Sequence, residues 1–328
     1  GASRSVRSTE LSMEGIKERL VQIWEAIKKF LIRVKEAIVG FFKRIFVLGE
    51  KQKEDARALL KVLESKGREK ESEKVTVDVE LAKNLVVGGA DSVKSSDLAQ
   101  EHTVYNNIVN TILNYEDNLK RDLEDIEKGI DIGKSKEEIL SAMENADKKA
   151  TNILKTVFPH TVNRNHYLGD TVKDTDGKAY SGDILASVSL PGHLVILALP
   201  VFFTATVRVA DDPKAEGVEV KSSEVAALDN VKVKSLLENS IRTIDNCLQA
   251  QKKVAELVKE SISKLNSFKP DKGEPDAEDR KFTMNLFKNG HKALGVGTKV
   301  VLRCAILFNG ESLKFAKLHL NNLKPKAA

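Results

Sequence analysis

Residues 14–48 read EGIKERLVQIWEAIKKFLIRVKEAIVGFFKRIFVL. Ile16, Leu20, Ile23, Trp24, Ile27, Phe30, Leu31, Val34, Ile38, Phe41, Phe42, Ile45 and Phe46 recur at steps of three and four. That period places them on one face of a helix about 50 Å long. The other face carries Lys17, Arg19, Lys28, Lys29, Arg33, Lys35, Lys43 and Arg44 against Glu14, Glu18, Glu25 and Glu36. By that count the segment holds +4 of the chain's formal net charge of +5. A basic amphipathic helix needs a partner for its apolar face: a membrane surface, another helix or the chain's own core.

The rest of the chain continues the helical pattern. Gly49 is expected to close the first helix, with a second over Glu50–Ser65 and a charged hinge over Lys66–Lys74. Val75, Val77, Val79 and Leu81 alternate with polar residues, as in a short strand. Ser95–Glu127 carries one apolar stripe, and Ser135 with Glu138 forms a capping box for a helix running to about Phe158. Ser222–Phe268 is the second long helical pattern. From there to Leu323 the chain reads as helix with breaks at Gly290, Gly295, Gly297 and Asn309-Gly310, and Lys324–Ala328 as a tail. Residues 163–213 stand apart as turn-rich and then apolar, with strand character after Pro200. The expected architecture is mainly α, a bundle of long amphipathic helices with a minor β component (α+β). It divides into a flexible leader (1–13), an N-terminal basic segment (14–65) and a helical main domain (75–328) with a β insertion.

Composition narrows the function. No run of about 18 uninterrupted apolar residues occurs, so no ordinary transmembrane helix is expected. Cys247 and Cys304 are isolated and sit in helical patterns, which predicts buried free thiols. Gly295-Val296-Gly297-Thr298-Lys299 has the look of a phosphate loop, yet it lacks the Walker order and a preceding strand. Small residues that let two helices approach account for it better. His160 and His166 lack the further ligands a zinc site needs, and the Asp174 turn lacks the closing Glu of a calcium loop. No nucleophile elbow, zinc-protease motif or paired-cysteine motif is present, and no cofactor is implied.

The first helix therefore carries the functional expectation. Lys17, Arg19, Lys28, Lys29, Arg33, Lys35, Lys43 and Arg44 are candidate contacts for nucleic-acid phosphates, non-specific in sequence. Trp24, Phe30, Phe41, Phe42 and Phe46 are candidate packing residues for a partner or the chain's own body. A second reading makes the protein membrane-active, with 14–48 and the apolar run 184–209 as insertion elements. An enzyme of unrecognised type is the third, and buried titratable groups close together would revive it.

The Ser12-Met13-Glu14-Gly15 start and the aromatic-rich basic helix after it resemble internal head proteins of phiKZ-like jumbo bacteriophages. The resemblance covers residues 8–65 and the overall helical build. It implies a non-enzymatic structural protein packaged inside the phage capsid, in contact with DNA, capsid or other internal proteins, including its own copies. It also implies trimming by a prohead protease after Ser-x-Glu triplets, which here are Ser8-Thr9-Glu10 and Ser12-Met13-Glu14. A chain beginning at Gly1 would suit such processing or a tag remnant. Passage into the host with the DNA is a further implication.

Overall fold

The structure is a computed structural model that describes residues 13–162, 183–200, 207–267 and 277–327. It is mainly helical with small antiparallel sheets, as the sequence predicts. One helix, α1 (Met13–Leu63), runs unbroken for 51 residues. Gly49 does not end it. A Cβ at Gly49 would come within 2.9 Å of Leu248 Cδ2, so the missing side chain lets the second long helix approach.

After α1 the expected hinge is a strand, β1 (Lys66–Lys70), and β2 (Lys74–Val77) follows it. The expected strand over 75–81 stops at Val77, where Asp78 accepts a hydrogen bond from Leu81 N (2.8 Å) and starts α2 (Val79–Leu85). α3 (Ala99–Asp131) and α4 (Lys136–Leu154) form a hairpin. Gly133, at φ +78, turns the chain between them, and Ser135 caps α4 by accepting from Glu138 N. β3 (His160–Val162), β4 (Ile184–Ala186), β5 (Leu194–Ala198) and β6 (Val207–Asp211) pair in that order as an antiparallel sheet.

The second long helix begins later than its stripe suggested. Residues Ser223–Ala226 form β7, antiparallel to β2, and α5 (Asn230–Ser267) follows. The last third holds α6 (Ala277–Ala293) and α7 (Val296–Asn321), which part at Leu294-Gly295. Gly290, Gly297 and Gly310 lie inside helices and break nothing. The expected tail is β8 (Leu323–Pro325), which pairs antiparallel with β1 and ties the end of α7 to the end of α1.

α5 is the hub and packs against α1, α3 and α7. α1 lies on one flank with α6 and α7 beside it, and α3 lies across the hub with α4 on its outer side. The main core joins Ile38, Phe42 and Ile45 of α1 to Ile108, Ile112, Val254, Val258, Leu302 and Phe315. Burying one such side chain contributes about 1.5–3 kcal/mol. A satellite cluster, Trp24, Leu31, Leu265 and Phe287 with Ile27 against it, holds the first part of α1. Cys247 and Cys304 are buried free thiols, as expected, and burial pushes their pKa values up to about 12 and about 11.

Candidate nucleic-acid interface and the polar junction beneath it

α1 sorts its residues by face, and the sorting decides which candidates can meet a partner. Arg19, Lys29, Arg33, Lys43 and Arg44 are exposed, while Lys28 is half-buried and pairs with Glu25 at 3.3 Å. The side chains of Lys17 and Glu14 lie outside the described residues, as does Glu10. Lys35 departs from the expectation, because it is fully buried. Leu31, Lys35, Ile38 and Phe42 follow one another at steps of four, three and four, so Lys35 stands in the middle of the buried stripe. That spacing is the signal in the sequence that it belongs inside.

The aromatic candidates divide as well. Trp24 and Phe42 are buried, Trp24 edge-on to Phe287 with ring centres 5.3 Å apart. Phe30 and Phe46 are exposed, at 40% and 49%. Phe41 is half-buried with two cations over its ring, Arg44 at 5.9 Å and Lys299 of α7 at 5.2 Å from its centre. Lys288 of α6 stands 6.0 Å from the ring centre of Phe30. A cation over a ring face is held there by the ring's quadrupole. These contacts join α1, α6 and α7 into one basic, aromatic surface. Arg303 continues it one turn beyond Lys299 on the exposed ridge of α7, and exposed Lys292 lies one turn beyond Lys288. Sequence reasoning missed Lys288, Lys292, Lys299 and Arg303, because only the packing of three helices brings them to α1.

Under that surface lies a buried polar junction. The carboxylate of Glu116, on α3, accepts hydrogen bonds from Gly295 N (2.8 Å) and Thr298 N (2.7 Å) at the start of α7. The phosphate-loop look-alike thus does hold an anion on its helix N-terminus, and the anion is the chain's own Glu116. The glycines are required by closeness: a Cβ on Gly297 would lie 2.9 Å from Glu116 Oε1, and one on Gly295 2.9 Å from Val258 Cγ2. Gly295 also has φ +87. Lys35 Nζ donates to Leu294 O (2.8 Å), one residue before Gly295. Burial pushes Glu116 up to about 7, with the two amides and Lys35 opposing, and lowers Lys35 to about 7, with Glu116 opposing.

A second buried group is next in line. His291 of α6 bonds Ser261 Oγ of α5 through Nδ1 and Glu127 of α3 through Nε2, both at 2.7 Å. The residue types are those of a hydrolase triad, but the ring is turned the other way round and the Ser261 hydroxyl is 2% exposed. No substrate carbonyl can reach that oxygen, so the group acts as a clamp on three helices. Burial lowers the His291 pKa, against the pull of Glu127. Among the described residues, no group of three or more His, Cys, Asp or Glu could hold a metal ion; His160 is in β3, and His166 lies outside them.

The apolar hairpin of the membrane reading is core. Ile184–Ala186 and Val195–Leu199 are at most 5% exposed, and residues 201–206 lie outside the described set. Phe282–Asn321 is long and apolar enough to cross a membrane by length and composition, yet 67% of its most apolar window is buried against the other helices.

A family profile for phiKZ-like phage internal head proteins matches residues 1–305 of the 328. No curated protein and no solved structure matches. With nearly the whole chain matched, the protein belongs to the phiKZ-like phage internal head proteins, whose place is inside the capsid.

Proposed function

We propose that the protein is a non-enzymatic packing component of the head and that its α1–α6–α7 surface lies against the phosphates of packaged DNA. The observation that carries this reading is the Phe41 ring in contact with both Arg44 and Lys299, which joins the basic residues of α1 to those of α7. Elsewhere on the same three helices, Lys29, Lys288, Lys292 and Arg303 offer further cations with no base-reading motif beside them. Such a surface follows the backbone without reading sequence.

Retention on duplex DNA across a salt series tests it. The logarithm of affinity should fall with the logarithm of salt at a slope of roughly −4 to −5, as for five neutralised phosphates. Arg44→Glu with Lys299→Glu should flatten the slope by about two and weaken binding to every sequence alike. Binding that ignores salt, or survives the double change, would remove DNA as the partner. Trimming after Glu10 or Glu14 is part of the same proposal. Glu14 is the second residue of α1, so a protease would have to unwind the helix there, and Glu10 is the preferred site. The mass of the N-terminal peptide from virions decides between them.

A further inference from the structure

α1 and the residue that follows it carry an exposed stripe whose charges find no ion-pair partner among the described residues. It begins Arg33, Glu36, Gly40, Lys43 and runs on through Val47, Glu50, Glu54, Arg57, Lys61 and Glu64. The steps alternate three and four without a break, which is the spacing of a coiled-coil seam. All but Gly40 are exposed, and Val47, at 68%, is the most exposed apolar residue of the helix. None of the eight charged residues takes part in an ion pair among the described residues.

Two steps of the stripe are unfavourable for a lone helix, against three i, i+3 steps of opposite charge, Arg33/Glu36, Glu54/Arg57 and Lys61/Glu64. Glu50 and Glu54 are like charges at i, i+4, and so are Arg57 and Lys61, an arrangement that destabilises an isolated helix. The blocks become favourable opposite a second copy running antiparallel. With the two-fold axis passing between the two helices at the level of Leu48 and Gly49, Lys43 faces Glu54 of the second copy, Glu36 faces its Lys61 and Arg33 faces its Glu64. Gly40 then faces Arg57, and Val47 lies beside the axis against Glu50. Every charged pair in this register is opposite in sign, and the two-fold repeats each pair.

Neighbouring registers fail. A shift of one heptad sets Lys43 against Lys61 and Glu50 against Glu54, and the reverse shift sets Arg33 against Arg57 and Glu36 against Glu54. A parallel, in-register pair sets every charge against itself. We infer that the protein pairs with a second copy of itself through this stripe, as an antiparallel α1–α1 dimer with isologous contacts. The stripe lies beside the Phe41 surface, and a two-fold perpendicular to both helices keeps the two Phe41 surfaces on one side of the pair. The dimer does not depend on DNA binding.

Sedimentation velocity of the full chain at low salt tests the pairing. The wild-type chain should sediment as a dimer that dissociates as salt rises. Lys43→Glu and Glu54→Lys, each alone, should weaken self-association roughly tenfold, because each turns two attractions into repulsions. An equimolar mixture of the two variants should re-form a dimer, since both cross-pairs are then opposite, and so should the K43E/E54K double variant. A monomeric wild type, single variants that dimerise unchanged or a mixture that stays apart would overturn the inference. Circular dichroism confirms that each variant is folded. DNA retention measured on Glu54→Lys separates the two readings, because loss of the dimer with retention intact leaves the DNA contact standing.

Discussion

α1 and α7 are both long helices packed against the same hub, α5, and they use their sequence in opposite ways. α1 buries one stripe and leaves a wide charged face to solvent, including Phe46 and Val47. α7 is buried almost all round, with a narrow ridge of half-buried Lys299 and exposed Arg303, Leu307, Lys314 and Lys317. By composition α1 has the look of a membrane-surface helix and α7 passes as a membrane span. In the fold α7 is the core and α1 the flank. The difference teaches that what a helix presents outward is set by its neighbours as much as by its own stripe, and the polar junction of Lys35 and Glu116 ties the start of α7 to α1 and α3.

The largest expected effect comes from breaking that junction. Glu116→Ala leaves the amides of Gly295 and Thr298 without their acceptor and Lys35 without its facing carboxylate. The loss should be about 2–5 kcal/mol in urea unfolding, as for two buried amide donors left without an acceptor. Glu116→Gln combined with Lys35→Met should recover more than half of it. A Glu116→Ala protein within 1 kcal/mol of wild type, roughly the error of the measurement, would mean that the α7 N-terminus holds itself without the carboxylate.

How far the sequence disclosed these helices follows from the same contrast. The stripes of α1, α3 and α5 were legible because an amphipathic helix writes its buried face in its own period. The capping box at Ser135 was legible because its two partners are three residues apart. Gly49 and Gly297 read as breaks because their reasons, Leu248 and Glu116, are far away in sequence. β1 and β8 were missed because a charged two-stranded sheet joins segments more than 250 residues apart and carries no alternation. The site divided likewise: exposed Arg44 was named from the helix period, but Lys299 became part of the surface only once α7 lay beside Phe41. Lys35 was misplaced because its charge was weighed above its spacing.

A smaller effect concerns pH. His319 of α7 is buried, accepts from Leu228 N through Nδ1 (3.1 Å), and is lowered to about 4 by burial. His102 of α3, between Thr243 and Ser312, is lowered to about 4 by burial and by Arg242. The folded chain therefore binds fewer protons than the unfolded chain between about pH 4 and 6.5. Stability from these groups is present above 6.5 and lost as pH falls towards 4, by about 1–3 kcal/mol for each histidine. Glu116, whose pKa is raised, works in the other direction: its contribution is present below 4.5 and lost as pH rises through 7. The two histidines should outweigh it over their shared range. Urea unfolding between pH 4 and 7 should show the acid loss, and His319→Gln should make it shallower. An unchanged slope in that variant would take His319 out of the acid limb.

The smallest effect has opposite signs at two glycines of one helix. At Gly49, alanine would bring a Cβ within 2.9 Å of Leu248 Cδ2 and 3.6 Å of Ile244 Cγ2, so either the Leu248 side chain or the helix that carries it must shift. Overpacking of this kind costs about 1–3 kcal/mol. At Gly40, on the outward face, the nearest atom to a new Cβ is Arg44 Nη1 at 3.9 Å, and nothing has to move. There alanine should stabilise by about 0.5–1 kcal/mol, through the better helix propensity and a less free unfolded chain. Thermal unfolding of the two variants measures both signs, at low concentration and high salt so that association does not enter. If Gly40→Ala destabilised the monomer by as much as Gly49→Ala, the outward face of α1 would be packed within its own chain, and the contrast with α7 would fail on the helix that defines it.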